Sequence, residues 1–280
     1  MNIFDMNFSF PTGVEFTTPP ATEEEALAIT AALTDALFQI DQARQHLDTA
    51  QESLFTDAGV RVSYRVPTLK EIEREIWKSL LLQHPVLLFM DKKTRNNFRR
   101  NLQEGNLPPV TAESILSKMA ELEAQAPHYL REWAFKTAMI YTGRLVAAAK
   151  ARGRQTVKAE EMLVPREFRI GGWRAVEWAG DYYRVLSDAQ DELQELDRLV
   201  HALDGRFPPL LEEDDPFPIV KEMPLTNAVE AAGERGETRG ETEYFTFRVF
   251  KGGLLTASLK CEDLRHIWTQ LVLDAIEASA

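Results

Sequence analysis

The stretch EYFTFRVFKGGLLTASLKCEDLRHIWTQLVLDAIEASA, Glu243 to Ala280, decides the fold class. Phe245, Phe247 and Val249 alternate with Tyr244, Thr246, Arg248 and Phe250. A period of two in aromatic and β-branched residues marks a strand. Lys251-Gly252-Gly253 follows, and glycine reaches the positive φ that tight hairpin turns need. Leu255, Ala257 and Leu259 then line one face of a return strand, with Thr256 and Ser258 on the other. After Lys260 the period changes. Leu264, Ile267, Trp268, Leu271 and Ile276 fall at three- and four-residue steps, one stripe of a helix. A lone hairpin is marginal in water, so this one must bury a face on helices.

Working outward, Pro208, Pro209, Pro216, Pro218 and Pro224, the acid run Glu212 to Asp215 and the glycine-rich GERGETRG before Glu241 make residues 206–240 read as a loop or tether. Asp181 to Ala202 reads as a long helix with Val185, Leu193, Leu196, Leu199, Val200 and Leu203 inward, stopped at Gly205. Phe168 to Ile170 suits a short strand before Gly171-Gly172. At the other end, residues 1–20 form an arm with Phe4, Phe8, Phe10 and Phe16. Thr22-x-x-Glu25 is a capping box opening a helix to about Phe55. Leu33, Ile40, Leu47 and Leu54 repeat every seven residues beside Ile29, Ala36, Ala43 and Ala50. That seam suits packing in the chain's own bundle; a homodimer through the 22–55 helix is the sharper reading.

Val60 to Val66 alternates as a strand, and Pro67-Thr68 opens a helix through Ile72, Ile76, Trp77 and Leu80. Pro85 interrupts that helix, Asp91 caps another to about Leu102, and Gly105 to Pro109 is a loop. A helix from Thr111 carries Ile115, Leu116, Met119 and Leu122. Pro127 separates it from a second, Tyr129 to Lys150, with Leu130, Trp133, Met139, Ile140 and Leu145 apolar. The expected architecture is α+β, mostly α. A helical body over 21–205 carries a small antiparallel sheet around the hairpin and helix of 241–280, as one composite domain.

The 280 residues carry a formal charge of -12, which disfavours generic attraction to phosphates or anionic lipid but leaves room for a local basic groove. The single cysteine, Cys261, excludes an intrachain disulfide and suits a reducing cytoplasm. No secretory leader and no membrane span are expected. His46, His84, His128, His201 and His266 pair with no Cys or second His at ligand spacing, so no metal, cofactor or catalytic residue is assigned. Asp197 and His201, four apart on one helix face, have a spacing that could serve a metal or an acid–base pair but read as a solvated surface pair; with Arg198 and Asp204 they make a weak polar cluster. Two basic clusters are candidate nucleic-acid or partner contacts: Lys92, Lys93, Arg95, Arg99 and Arg100, and Arg144, Lys150, Arg152, Arg154 and Lys158.

Several blocks together resemble the DUF4942 family, a domain of unknown function found in phage, prophage and plasmid proteins. They are Ile76-Trp77-Lys78-Ser79-Leu80, Met90-Asp91 with Arg95 and Phe98, and Leu107-Pro108-Pro109-Val110-Thr111. Further on come Leu196-Asp197-Arg198-Leu199 with Leu203-Asp204-Gly205, and Phe247 to Leu264. Where the family's hairpin carries an Asn-Gly-Asn turn and then a His, this chain has Gly252-Gly253-Leu254 and Thr256. The resemblance implies a mobile-element setting and no established activity. The expectation is therefore a non-catalytic accessory protein binding a host protein that handles or defends against foreign nucleic acid. The alternative is a nucleic-acid-binding module serving a modification enzyme.

Overall fold

The computed structural model describes residues 7–9, 15–17, 22–58, 67–82, 84–104, 107–151, 163–172, 174–206 and 223–278. The strand expected over Val60 to Val66 lies outside them. Two three-residue strands, β1 (Asn7–Ser9) and β2 (Glu15–Thr17), pair with each other. The chain divides into two compact units. One holds residues 17–84 and 96–124 with the first seven; the other holds 8–16, 85–95 and 125–280.

The first unit is helical. In α1 (Glu23–Ala58) the expected capping box forms: the Glu25 amide donates to Thr22 Oγ1, and the Thr22 amide to Glu25 Oε2. The same reciprocal box, Thr68 with Glu71, opens α2 (Leu69–Leu82). The α1 seam runs from buried Leu33 through half-buried Ile40 to exposed Leu47. Trp77 of α2 is fully buried, and its indole N–H donates to the Pro108 carbonyl at 2.8 Å. Glu73 accepts the Val110 amide. Two of the family-like blocks, one around Trp77 and one around Pro108, are thus tied to each other by satisfied polar groups.

A 3₁₀ turn (Pro85–Phe89) replaces the helix at Pro85, and Asp91 caps α3 (Lys92–Glu104) by accepting the Thr94 amide. The break expected at Pro127 is absent: α4 runs unbroken from Ala112 to Ala151. Proline removes one intrahelical hydrogen bond, and the flanking buried residues Ala126 and Leu130 keep the helix packed across it. The inward face beyond it is Leu130, Trp133, Ala134, Ala138 and Tyr141; the apolar Met139 and Ile140 are exposed.

The second unit is built on a four-stranded antiparallel sheet ordered β3 (Glu167–Ile170), β8 (Leu255–Leu259), β7 (Phe245–Val249), β6 (Arg239–Glu241). The hairpin and its Gly253 turn, with φ of 84°, form as expected. So does the following helix α7 (Glu262–Glu277), although Ile276 is exposed and Val272 takes the buried place. Trp268 stacks on Phe168 with ring centroids 5.4 Å apart and donates its N–H to the Ala134 carbonyl.

Two stretches of this unit depart from what their sequence suggests. Residues 181–185 are not helical: β4 (Val176–Ala179) and β5 (Tyr182–Val185) form a hairpin across Gly180-Asp181, and α5 (Ser187–Asp204) begins after it. Gly180-Asp181 between VEWA and YYRV is the two-residue turn that could have disclosed it. Nor is 206–240 a loop or tether throughout, since α6 (Pro224–Glu234) lies within it and β6 begins at its end. Pro224 occupies the first helical turn, where its missing N–H costs nothing.

Candidate functional site

Strand alternation divides the four-stranded sheet into an apolar face and a polar one. Phe168, Ile170, Phe245, Phe247, Val249, Leu255 and Ala257 are buried on the first. On the other, the register lines up residues from four strands in two parallel rows. Arg169 stands opposite Thr256, Thr256 opposite Arg248, and Arg248 opposite Arg239. Two residues along the strands, Glu167, Ser258, Thr246 and Glu241 stand in the same order. One row therefore carries three arginines and a hydroxyl, the other two hydroxyls between carboxylates. An open groove on this face is lined by Arg239, Arg248, Thr256, Phe250 and both glutamates, among others. The Arg248 guanidinium lies 4.7 Å from the Phe250 ring centroid, a stacked arrangement. Among the described residues, none of the three arginines is in an ion pair, while Glu241 pairs with Lys260 at 3.4 Å. No pattern in the chain announces the row, because its arginines come from three strands of which β3 is distant in sequence.

The basic residues singled out from the sequence are placed differently. Lys92 pairs with Asp191, Arg95 with Glu195 and Arg144 with Glu192, so the acidic face of α5 occupies all three. Glu195 also accepts the Lys92 amide and Arg198; burial still pushes its carboxyl above the usual value, against the pull of Arg95. Arg100 donates to Asn97. Lys93 and Lys150 are exposed. Arg99 is half-buried. Arg152, Arg154 and Lys158 lie outside the described residues.

The polar cluster of α5 is buried, contrary to its reading as a solvated surface. Asp197 is 0% exposed and His201 7%. Asp197 Oδ2 accepts the Leu225 amide at 2.8 Å, and Oδ1 lies 3.7 Å from His201 Nε2. His201 Nδ1 is 2.7 Å from the Arg206 carbonyl, which leaves Nε2 facing the carboxylate. Burial pushes the Asp197 carboxyl up to about 6, opposed by the Leu225 hydrogen bond and the His201 charge. Asp204 and Arg198 do not join this pair. Asp204 accepts the Tyr244 hydroxyl, and Arg198 lies over the Trp133 ring. The geometry ties α5 to α6 and to the segment before β7.

Among the described residues no three His, Cys, Asp or Glu side chains converge as a metal site, and no helix is long and apolar enough to cross a membrane. No curated protein and no solved structure matches the chain. The family profile described as Domain of unknown function (DUF4942) matches residues 69–264, from the start of α2 to the first turn of α7. The chain belongs to the DUF4942 family.

Proposed function

We propose that the protein is a non-catalytic accessory protein of a mobile element, acting in the cytoplasm by binding nucleic acid on the open face of its sheet. The observation that carries this reading is the row Arg169, Arg248 and Arg239, the first half-buried and the other two exposed, without acidic partners among the described residues. Guanidinium groups match phosphate oxygens in geometry as well as charge. Unpaired arginines side by side repel one another, which an anionic ligand relieves. The overall charge of -12 opposes approach at long range, but at physiological salt that field is screened beyond about 8 Å. A gel shift at about 50 mM salt, repeated at about 200 mM, tests the reading. Retardation that weakens with salt is expected; no retardation of any oligonucleotide at low salt ends it.

A second reading, contact with a host protein or a second copy of the chain, is favoured by α1, on which Phe38 is 65% exposed and Leu47 43%. Sedimentation of the protein alone tests the self-contact: a monomer at all concentrations removes it.

A further inference from the structure

Resting on that reading, we infer that the ligand is single-stranded, its backbone laid across the strands along Arg239, Arg248 and Arg169, with bases splayed to one side of that row toward Glu167 and Glu241 and to the other toward Phe250. The positive strip is one residue wide. Neighbouring strands are spaced at about 4.8 Å, so the row from β6 to β3 spans about 14 Å. Glu167, and Glu241 with its partner Lys260, stand only about 7 Å away along the strands. A duplex presents two phosphate strands, and its second would approach those carboxylates. A single strand presents one, and its unpaired bases carry exocyclic amino and ring N–H donors that carboxylates accept. Ser258 and Thr246, between the two glutamates, add hydroxyls that donate or accept. Phe250 is half-buried beside Arg248, and a base stacking there meets an aromatic ring already paired with a guanidinium. The shallow, open sheet suits splayed bases rather than a protruding helix seeking a major groove.

Fluorescence anisotropy of the full chain with labelled oligonucleotides of about twelve nucleotides, single-stranded or as the matching duplex, tests this. The single strand is expected to bind at least tenfold tighter than the duplex. Its affinity should fall with salt on a log–log slope of about -1.4 to -2, the value for two to three single-strand phosphates. Arg239→Ala with Arg248→Ala should weaken it tenfold or more, and Phe250→Ala about fivefold, with the circular dichroism melt unchanged. Glu167→Gln with Glu241→Gln should narrow the gap by improving duplex binding. Duplex binding as tight as single-strand binding, both lost in the double arginine variant, overturns the single-strand assignment and leaves the proposed function standing. Binding of neither oligonucleotide, or binding indifferent to the arginines, overturns both.

Discussion

The Asp197 carboxylate accepts the backbone amide of Leu225 at 2.8 Å across twenty-eight residues of chain, and both groups are buried. This bond supplies an acceptor to one of the unpaired amides that open α6. It costs the burial of a charge, and that cost is visible in the raised carboxyl. A motif that could pass for catalytic equipment is therefore occupied in holding one helix against another.

Its titration gives a signed prediction. The folded-state value, about 6, lies above the ordinary 3.8. The neutral form's contribution to stability is thus fully present below about 3.8 and lost as pH rises through about 6. Asp197→Asn keeps an acceptor for Leu225 and cannot ionise. In urea titrations at several pH values, wild type should lose stability relative to Asp197→Asn between pH 4 and 7, by about 2 kcal/mol. A gap independent of pH contradicts this. Asp197→Ala, which strands the amide, should cost about 1–3 kcal/mol.

Trp268 is fully buried, stacked on Phe168 and hydrogen-bonded to the Ala134 carbonyl. Trp268→Ala should cost about 3–5 kcal/mol. Trp268→Phe, which keeps a ring but drops the N–H, should lose about 1–2 kcal/mol. Denaturant midpoints at constant slope separate the two.

Adjacent glycines should respond unequally. At Gly253, φ is positive and an added Cβ would lie 2.9 Å from the Val176 carbonyl oxygen. That position also accepts the Ala175 and Val176 amides through its own carbonyl, so the β4–β5 hairpin seats on this turn. Gly253→Ala should cost about 2–4 kcal/mol. Nothing lies within 4 Å of a Cβ at Gly252, and Gly252→Ala should stay within about 0.5 kcal/mol. Thermal melts of both variants give the comparison.

Arg95→Ala distinguishes structural cations from ligand-facing ones. Its partner Glu195 is largely buried, so truncation should destabilise by about 1–3 kcal/mol. It should leave oligonucleotide affinity within about twofold, because that guanidinium is already engaged. A tenfold loss of affinity in a folded Arg95→Ala would return the first basic cluster to the interface.

Much of the outline was legible because it rests on chemistry between near neighbours in the chain. The capping boxes at Thr22 and Thr68, the stop at Gly205 and the hairpin over 245–259 each close within a few residues. Where local rules pointed wrongly, packing had overruled them or their position had been misjudged. Pro127 lies inside a helix whose buried face carries it, and Pro224 begins one. Asp197 and His201 were visible as a pair at helical spacing, but spacing does not say which face is covered.

From its residues alone this chain is α+β and mostly helical, closes on a glycine-turned hairpin and a Trp-bearing helix, and has one free cysteine. Periodicity and turn chemistry act over a few residues and are written in order along the chain. The arginine row, the buried carboxylate under α6 and the cations of α3 and α4 neutralised by α5 were settled only by tertiary structure. Each depends on strand register or helix docking between segments tens of residues apart, where the choice is made by burial of the opposite, apolar face.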